Sequence, residues 1–429
     1  MRKNALVFSG GSYPGIQIYY CLQHNKLFHP IAASSYSDHS RFVFKDYVDD
    51  LPYIHEESFI EKLNGLIEEK KISFIIPTHD TIALFVIQNQ HQINATVVCS
   101  PYETALMCRY KSKTYDYLKD CFFIPRVYKS VDEVEQYPVF AKPDDGQGTQ
   151  GAVVINNDTE LKNVFCCGRD MVVCEHLNGE ELTIDCFTNR KRELLFVNPR
   201  RRSRIMYGVS VRSNRVELSN EISRIINEIN ERIVFRGYWF VQLKKSAEGR
   251  YKLLEICTRF SGTFGLSKSL DVNLPLLALC DFDGMDVSIT PNNYDVCSDK
   301  TFIDRYELKI HYERVYIDYD DTIICEDGKA VNPFVLAYLY QCRAKNIEIV
   351  VITKHAGSVV DDMKRFAIAP EIFKEIISLT HDQTKIDVMN NNMPSIFIDN
   401  SYAERLQAKQ ALGMNTFDVS NIDCLLDWR

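Results

Sequence analysis

The chain has 14 cysteines but no CxxC pair, and its ten histidines show no paired spacing. That argues against a structural zinc site. Cys166-Cys167 reads as packing rather than redox chemistry. No uninterrupted apolar stretch approaches the roughly 20 residues that a membrane helix requires. The opening MRKNALVFSGG carries only a short apolar run before glycines, so it reads as a first strand and not as a signal peptide. The thiols are therefore expected to be reduced, many of them in the core, and the chain cytoplasmic with no membrane association. An excess of positive charge is also missing. The net charge is −8, which disfavours a nucleic-acid partner. There is no fixed-period repeat and no low-complexity segment.

What is present is an ordinary soluble composition, 45% hydrophobic and 25% charged, on a chain of 429 residues, too long for one core. The segment YPVFAKPDDGQGTQGAVVI organises the first half. It reads as a strand over 139–141 ending at Lys142, a loop with Gly146, Gly148 and Gly151, and a return strand over 152–155. A lysine and a ring of loop amides suit a polyphosphate.

Upstream, a strand over 5–8, a small-residue turn and a helix from 16 suggest a doubly wound α/β unit. The turn is not G-x-G-x-x-G, so the dinucleotide reading is weak. A second unit follows: helix 57–69, strand 74–76, the turn Pro77-Thr78-His79-Asp80 and helix 81–90. Asp80 reads most simply as a helix cap and His79 as a loop residue. Lys111 and Lys113 open a further helix. Residues 171–185 form strand, connector and strand, and 221–236 a helix with an isoleucine stripe ended by Gly237. Strands 239–243 and 252–256 pair across Ala247-Glu248-Gly249, with Gln242 and Glu255 on one face. The polar stretch 281–314 reads as a domain boundary, after which strands 315–317, 347–352 and 396–398 alternate with helices 333–345, 358–366, 385–389 and 401–412.

Several of these blocks, in order, resemble the ATP-grasp superfamily, and within it the carbamoyl-phosphate-synthetase-like carboxylate–amine ligases. The resemblance covers residues 1 to about 285. It implies an α/β multidomain protein: a pre-ATP-grasp α/β domain over 1–100 and an ATP-grasp α+β domain over 101–285. It implies ATP and Mg²⁺ as cofactors, with Lys111, Lys142, Gly146, Gly148 and Thr149 on the phosphates. Glu175 and the Leu177 backbone would read adenine, and Glu181 the ribose hydroxyls. The segment from Asn198 through the arginines to Arg204, with Gly208, would face phosphate and acceptor. Gln242 and Glu255 would hold the metal, and Arg259 would steady the acyl phosphate. One departure stands out: the family has asparagine two residues after the metal-binding glutamate, and this chain has Cys257, a poor ligand for a hard oxygen-seeking ion.

After a linker over 286–313, residues 314–429 resemble the haloacid-dehalogenase (HAD) phosphatase superfamily, which implies a Rossmann-like domain. The matching blocks are Asp318-Tyr-Asp320-Asp321-Thr322 after a strand, Thr353 ending another, Lys385, and Asp399-Asn400. The resemblance makes Asp318 the nucleophile and Asp320 the acid/base. Mg²⁺ would lie on Asp318, Asp399 and the Asp320 carbonyl, with Thr353 and Lys385 on the phosphoryl oxygens. Lys354 competes with Lys385 for the last role, and Asn400 stands where a second acid is usual.

The two resemblances together imply a ligase joining a small-molecule carboxylate to an amine or similar nucleophile through an acyl phosphate, with a fused phosphatase acting on a related small phosphorylated metabolite. Two alternatives remain open from sequence: a phosphatase regulated by an ATP-sensing module, and an active ligase carrying a scaffold HAD domain. Homodimers are common in the resembled ligases; the sequence itself gives no sign of one.

Overall fold

In the computed structural model, which describes residues 2–146, 148, 150–166, 168–206, 208–301, 306, 308–325, 328–380 and 382–427, the first apolar run becomes the centre of a parallel sheet. Strands β1 (Lys3–Phe8), β2 (Phe28–Ala33), β3 (Tyr47–Val48), β4 (Ile72–Pro77) and β5 (Thr96–Val97) lie in the order β3-β2-β1-β4-β5. All their pairings are parallel. Ala5 to Phe8 and Phe74 to Ile76 are buried, so these strands are apolar without alternation, as strands covered on both faces must be. Helix Tyr13–Leu22 starts earlier than its periodicity suggests, because Ser12 caps it by accepting from the Gly15 N–H and Pro14 sits in its first turn.

A second sheet joins β6 (Val127–Tyr128), β7 (Val139–Pro143), β8 (Val153–Ile155) and β9 (Met171–Glu175) in the order β6-β9-β7-β8, antiparallel throughout. A third joins β10 (Glu181–Thr188), β11 (Leu194–Met206), β12 (Val209–Arg215), β13 (Gly237–Lys245), β14 (Tyr251–Cys257) and β15 (Cys297–Asp299) in the order β14-β13-β10-β11-β12-β15. The isoleucine helix packs its stripe (Ile222, Ile225, Ile226 and Ile229) against this sheet's apolar face with Trp239 and Val241. It ends at Arg232, not at Gly237. Ile233 leaves in extended geometry and, with Phe235, turns into the core before Gly237 opens β13.

The chain divides into compact units over 1–302 and 303–429. The polar stretch read as linker over 286–313 is therefore not uniform: Cys297–Asp299 pairs with β12 as the edge strand of the six-stranded sheet. In the second unit, β16 (Arg314–Ile317) is the middle strand. A short hairpin of β17 (Ile324–Cys325) and β18 (Ala330–Val331) follows it. Then come β19 (Glu348–Thr353), β20 (Glu375–Ser378), β21 (Ser395–Ile398) and β22 (Asn415–Phe417). The sheet order is β20-β19-β16-β21-β22, all parallel. The helix expected over 385–389 is only a 3₁₀ turn, Lys385–Asp387. Thr384 and Asp387 cap each other across it, and no longer helix grows from it. The cysteines of the described residues are free thiols, and most of them are buried.

Candidate functional site

The first unit encloses a cavity of about 580 Å³ lined from all three of its sheets. The parallel sheet contributes the turns after β1 and β4, at the carboxyl ends of its strands, where α/β sheets place ligands. Of the sequence-predicted residues of this unit, Lys111, Lys142, Gly146, Gly148, Glu175, Leu177, Glu181, Gln242, Glu255 and Arg259 reach the cavity, and from the segment Asn198–Arg204 with Gly208 only Arg202 and Gly208 do. Thr149 lies outside the described residues.

Lys142 sits near the end of β7, buried, and its Nζ donates to the Tyr115 hydroxyl at 2.7 Å and to the Leu254 carbonyl at 2.9 Å. Burial pulls this ammonium below the usual lysine value. Lys111 Nζ donates to the Gly146 carbonyl at 2.8 Å and lies 3.9 Å from Glu255, which ties the start of its helix to the glycine loop. Glu175 is less free than expected. Its carboxylate accepts from the Arg126 N–H at 2.9 Å, so it holds the hinge together at the end of β9. Gln242 and Glu255 are direct cross-strand neighbours on β13 and β14. Cys257 lies in the apolar core and does not line the cavity.

Two expectations change. Asp80 does not cap its helix; His79 occupies that position without a side-chain bond. Asp80 instead accepts from Arg259 Nε at 2.8 Å and pairs with its Nη2 at 2.7 Å. Burial alone would push the Asp80 carboxyl up, but Arg259 outweighs it and holds Asp80 below the aspartate range. The arginine run does not face the cavity as a whole; it lies in strand β11, which divides it. Arg200 is fully buried and donates from Nε and Nη2 to the two oxygens of Asp185, both at 2.8 Å, with Ser261 and Tyr238 joining the cluster. Arg202, two residues on, faces the cavity and pairs with Glu181.

In the second unit the predicted residues also converge, at the carboxyl ends of three adjacent strands. Asp318 follows β16, Thr353 ends β19 and Asp399 follows β21. Lys385 Nζ bridges Asp318 and Asp399, donating to each at 2.6 Å. Burial, with Asp399 adding to it, raises the Asp318 carboxyl to about 6 even though Lys385 opposes the shift. The Asp320 carboxylate lies 2.8 Å from His355 Nδ1, a partner that sequence reasoning missed, and accepts from Thr353 Oγ1 at 3.4 Å. Lys354 points elsewhere, 3.7 Å from Glu404, which leaves Lys385 as the lysine of this cluster. Among the described residues no three His, Cys, Asp or Glu side chains group closely enough to hold a metal by themselves, and no helix is long and apolar enough to cross a membrane.

Residues 168–300 match the family model described as ATP-grasp in the biosynthetic pathway with Ter operon. No curated protein matches the chain. Among solved structures, the biotin carboxylase domain dimer of Hydrogenobacter thermophilus 2-oxoglutarate carboxylase, in complex with MgADP, ADP and bicarbonate, superposes with a TM-score of 0.56 at 15% identity, covering 68% of this chain and 72% of that one. N5-carboxyaminoimidazole synthetase from Staphylococcus aureus, complexed with ADP, gives 0.56 at 16% identity, covering 68% and 79%. The L-amino acid ligase of Bacillus licheniformis gives 0.51 at 17%, covering 66% and 74%. The parallel sheet, the strand–loop–strand around Lys142 and the antiparallel sheet bearing Gln242 and Glu255 together make up a mixed α/β ATP-grasp fold.

Proposed function

We propose that the first unit is an ATP- and Mg²⁺-dependent ligase that joins a carboxylate to an amine through an acyl phosphate, releasing ADP and phosphate. The observation that carries this reading is the convergence of Lys111, Lys142, Gln242, Glu255 and Arg259 on one cavity. The donor set fits the metal: Gln242 and Glu255 offer hard oxygens side by side, and Mg²⁺ keeps water at its remaining positions. When bound, the ion offsets phosphate charge. Lys142 and Lys111 bind the phosphates, the loop around Gly146 and Gly148 excludes water, and Arg259, held by Asp80, orients the activated acyl group. Solved neighbours that are complexed with ADP support the nucleotide assignment, and the L-amino acid ligase supports the amide-forming one. A homodimer belongs to the same reading, since one neighbour is described as a dimer.

For the second unit the reading is a Mg²⁺-dependent HAD phosphatase acting on a small phosphorylated metabolite. Asp318 attacks phosphorus, Asp320 passes a proton to the leaving oxygen, and Thr353 and Lys385 grip the phosphoryl group. The bridging of Asp318 and Asp399 by one ammonium supports it, because two carboxylates that share a cation at 2.6 Å are spaced to share a metal. One observation favours a second reading of the first unit, an ATP sensor: Cys257 is buried in the core and leaves two side-chain ligands.

Coupled detection of ADP with paired carboxylates and amines tests the ligase. ADP should form only when both substrates are present and should vanish in Lys142→Met. Tight ATP binding without ADP release from any pair would favour the sensor. Hydrolysis of p-nitrophenyl phosphate that survives Asp318→Asn would remove the phosphatase.

A further inference from the structure

The cavity of the first unit is lined by more cationic side chains than carboxylates. Among the described residues its carboxylates are Glu175, Glu181 and Glu255, against the cations Lys111, Lys142, Arg202, Lys244, Arg259 and Lys300. Each carboxylate is already engaged: Glu175 by the Arg126 N–H, Glu181 by Arg202 and Lys244, and Glu255 by Lys111. Of the cations, Lys300 stands apart. It follows edge strand β15, which its own N–H extends by donating to the Val211 carbonyl at 2.8 Å. Its ammonium lies over the Tyr13 ring at 4.0 Å and crowds Gly262, where an added Cβ would meet it at 3.3 Å. Lys300 therefore faces the side of the cavity formed by the first helix and the 261–263 turn. Among the described residues no carboxylate pairs with it. Burial, with Arg200 and Arg202 nearby, lowers it to about 8, the behaviour of a cation that lacks a counter-ion.

We propose that Lys300 is an oxyanion-binding residue, and that the amine substrate is itself an acid held there by a carboxylate or phosphate group. This rests on the ligase reading of the first unit. An ammonium group would find no unengaged carboxylate in the cavity, whereas an anion gains the Lys300 charge in a partly desolvated setting where it counts for more than in water. Anchoring the amine by its acid end also leaves the nitrogen free to reach the acyl carbon.

The test uses the full chain saturated with Mg²⁺ and a non-hydrolysable ATP analogue, titrated calorimetrically with inorganic phosphate in one arm and malonate in the other. Wild type should bind at least one probe. Lys300→Gln should weaken that binding by about tenfold or more, and Lys300→Arg should restore most of it, on the scale of one charge-assisted hydrogen bond. Analogue affinity should not change in either variant. Binding of phosphate alone assigns a phosphorylated amine; binding of malonate assigns a carboxylate. The proposal is overturned if wild type binds neither probe, if Lys300→Gln binds as wild type does, or if that variant loses the analogue instead. Failure of wild type to bind the analogue at all would strike the ligase reading itself, a separate result.

Discussion

At the scale of single residues, partners far apart in sequence govern the behaviour of both sites. Asp80 and Arg259 are 179 positions apart, and nothing local in either stretch announces the pair. If Asp80 orients Arg259, Asp80→Ser should cut ADP release by about tenfold and lower stability by roughly 1–3 kcal/mol, because it leaves a guanidinium without its counter-ion. Full activity in Asp80→Ser, checked beside a thermal melt, would mean that the ion pair does not position Arg259 for the reaction. In the second unit the raised Asp318 gives a signed pH effect. A carboxyl whose folded value, about 6, exceeds its unfolded one stabilises the protonated fold and costs stability once it ionises. In EDTA, then, wild type should lose stability relative to Asp318→Asn as pH rises from about 4 to about 6, by on the order of 2 kcal/mol, and the gap should stay constant above that. Melting both proteins at pH 4.5 and pH 7.5 measures it; a gap that does not widen with pH would contradict a carboxyl raised by burial beside Asp399.

At the scale of elements, the loop between β7 and β8 allows a graded test. Gly148 and Gly151 both have left-handed backbones, φ 57° and 73°. An alanine at 148 would meet open space, whereas at 151 its Cβ would stand 3.0 Å from Pro143 and 3.1 Å from Arg169. Gly148→Ala should therefore carry only backbone strain of about 1 kcal/mol and raise the KM for ATP two- to threefold, and Gly151→Ala should raise it about tenfold. ATP saturation curves that rank the two the other way would mean the loop does not cover the nucleotide. The same elements mark what was legible beforehand. The Gln242–Glu255 pair could be read because two apolar strands flank one short turn, which limits the register. Strand β11 could not, because a run of arginines carries no hydrophobic alternation and becomes a strand only through pairing with β10 and β12. Lys300 was hidden for the same reason: β15 lies in polar sequence and is defined by its partner strand.

At the scale of the whole molecule, each cluster draws all its residues from one unit: Lys111 through Arg259 from the first, Asp318 through Asp399 from the second. Motif spacing made this division legible, since the strand–helix alternation restarts after the polar stretch and Asp318 and Asp399 each follow a strand. The side of the cavity around Tyr13, Gly262 and Lys300 was not legible, because these residues come from separate, scattered segments. If both proposed activities are present, the geometry predicts that they can be separated. Lys142→Met should lower ADP release by at least about a hundredfold, the loss of a charge on transferring phosphate, while phosphatase turnover stays within about twofold. Asp318→Asn should do the reverse, since removing the nucleophile stops hydrolysis but leaves Lys142 and its Tyr115 and Leu254 partners intact. Mixing the two variants should then restore conversion of any product that needs both steps. If either substitution silences both activities while the protein still melts as wild type does, the two sites are not independent and one of them serves only to regulate the other.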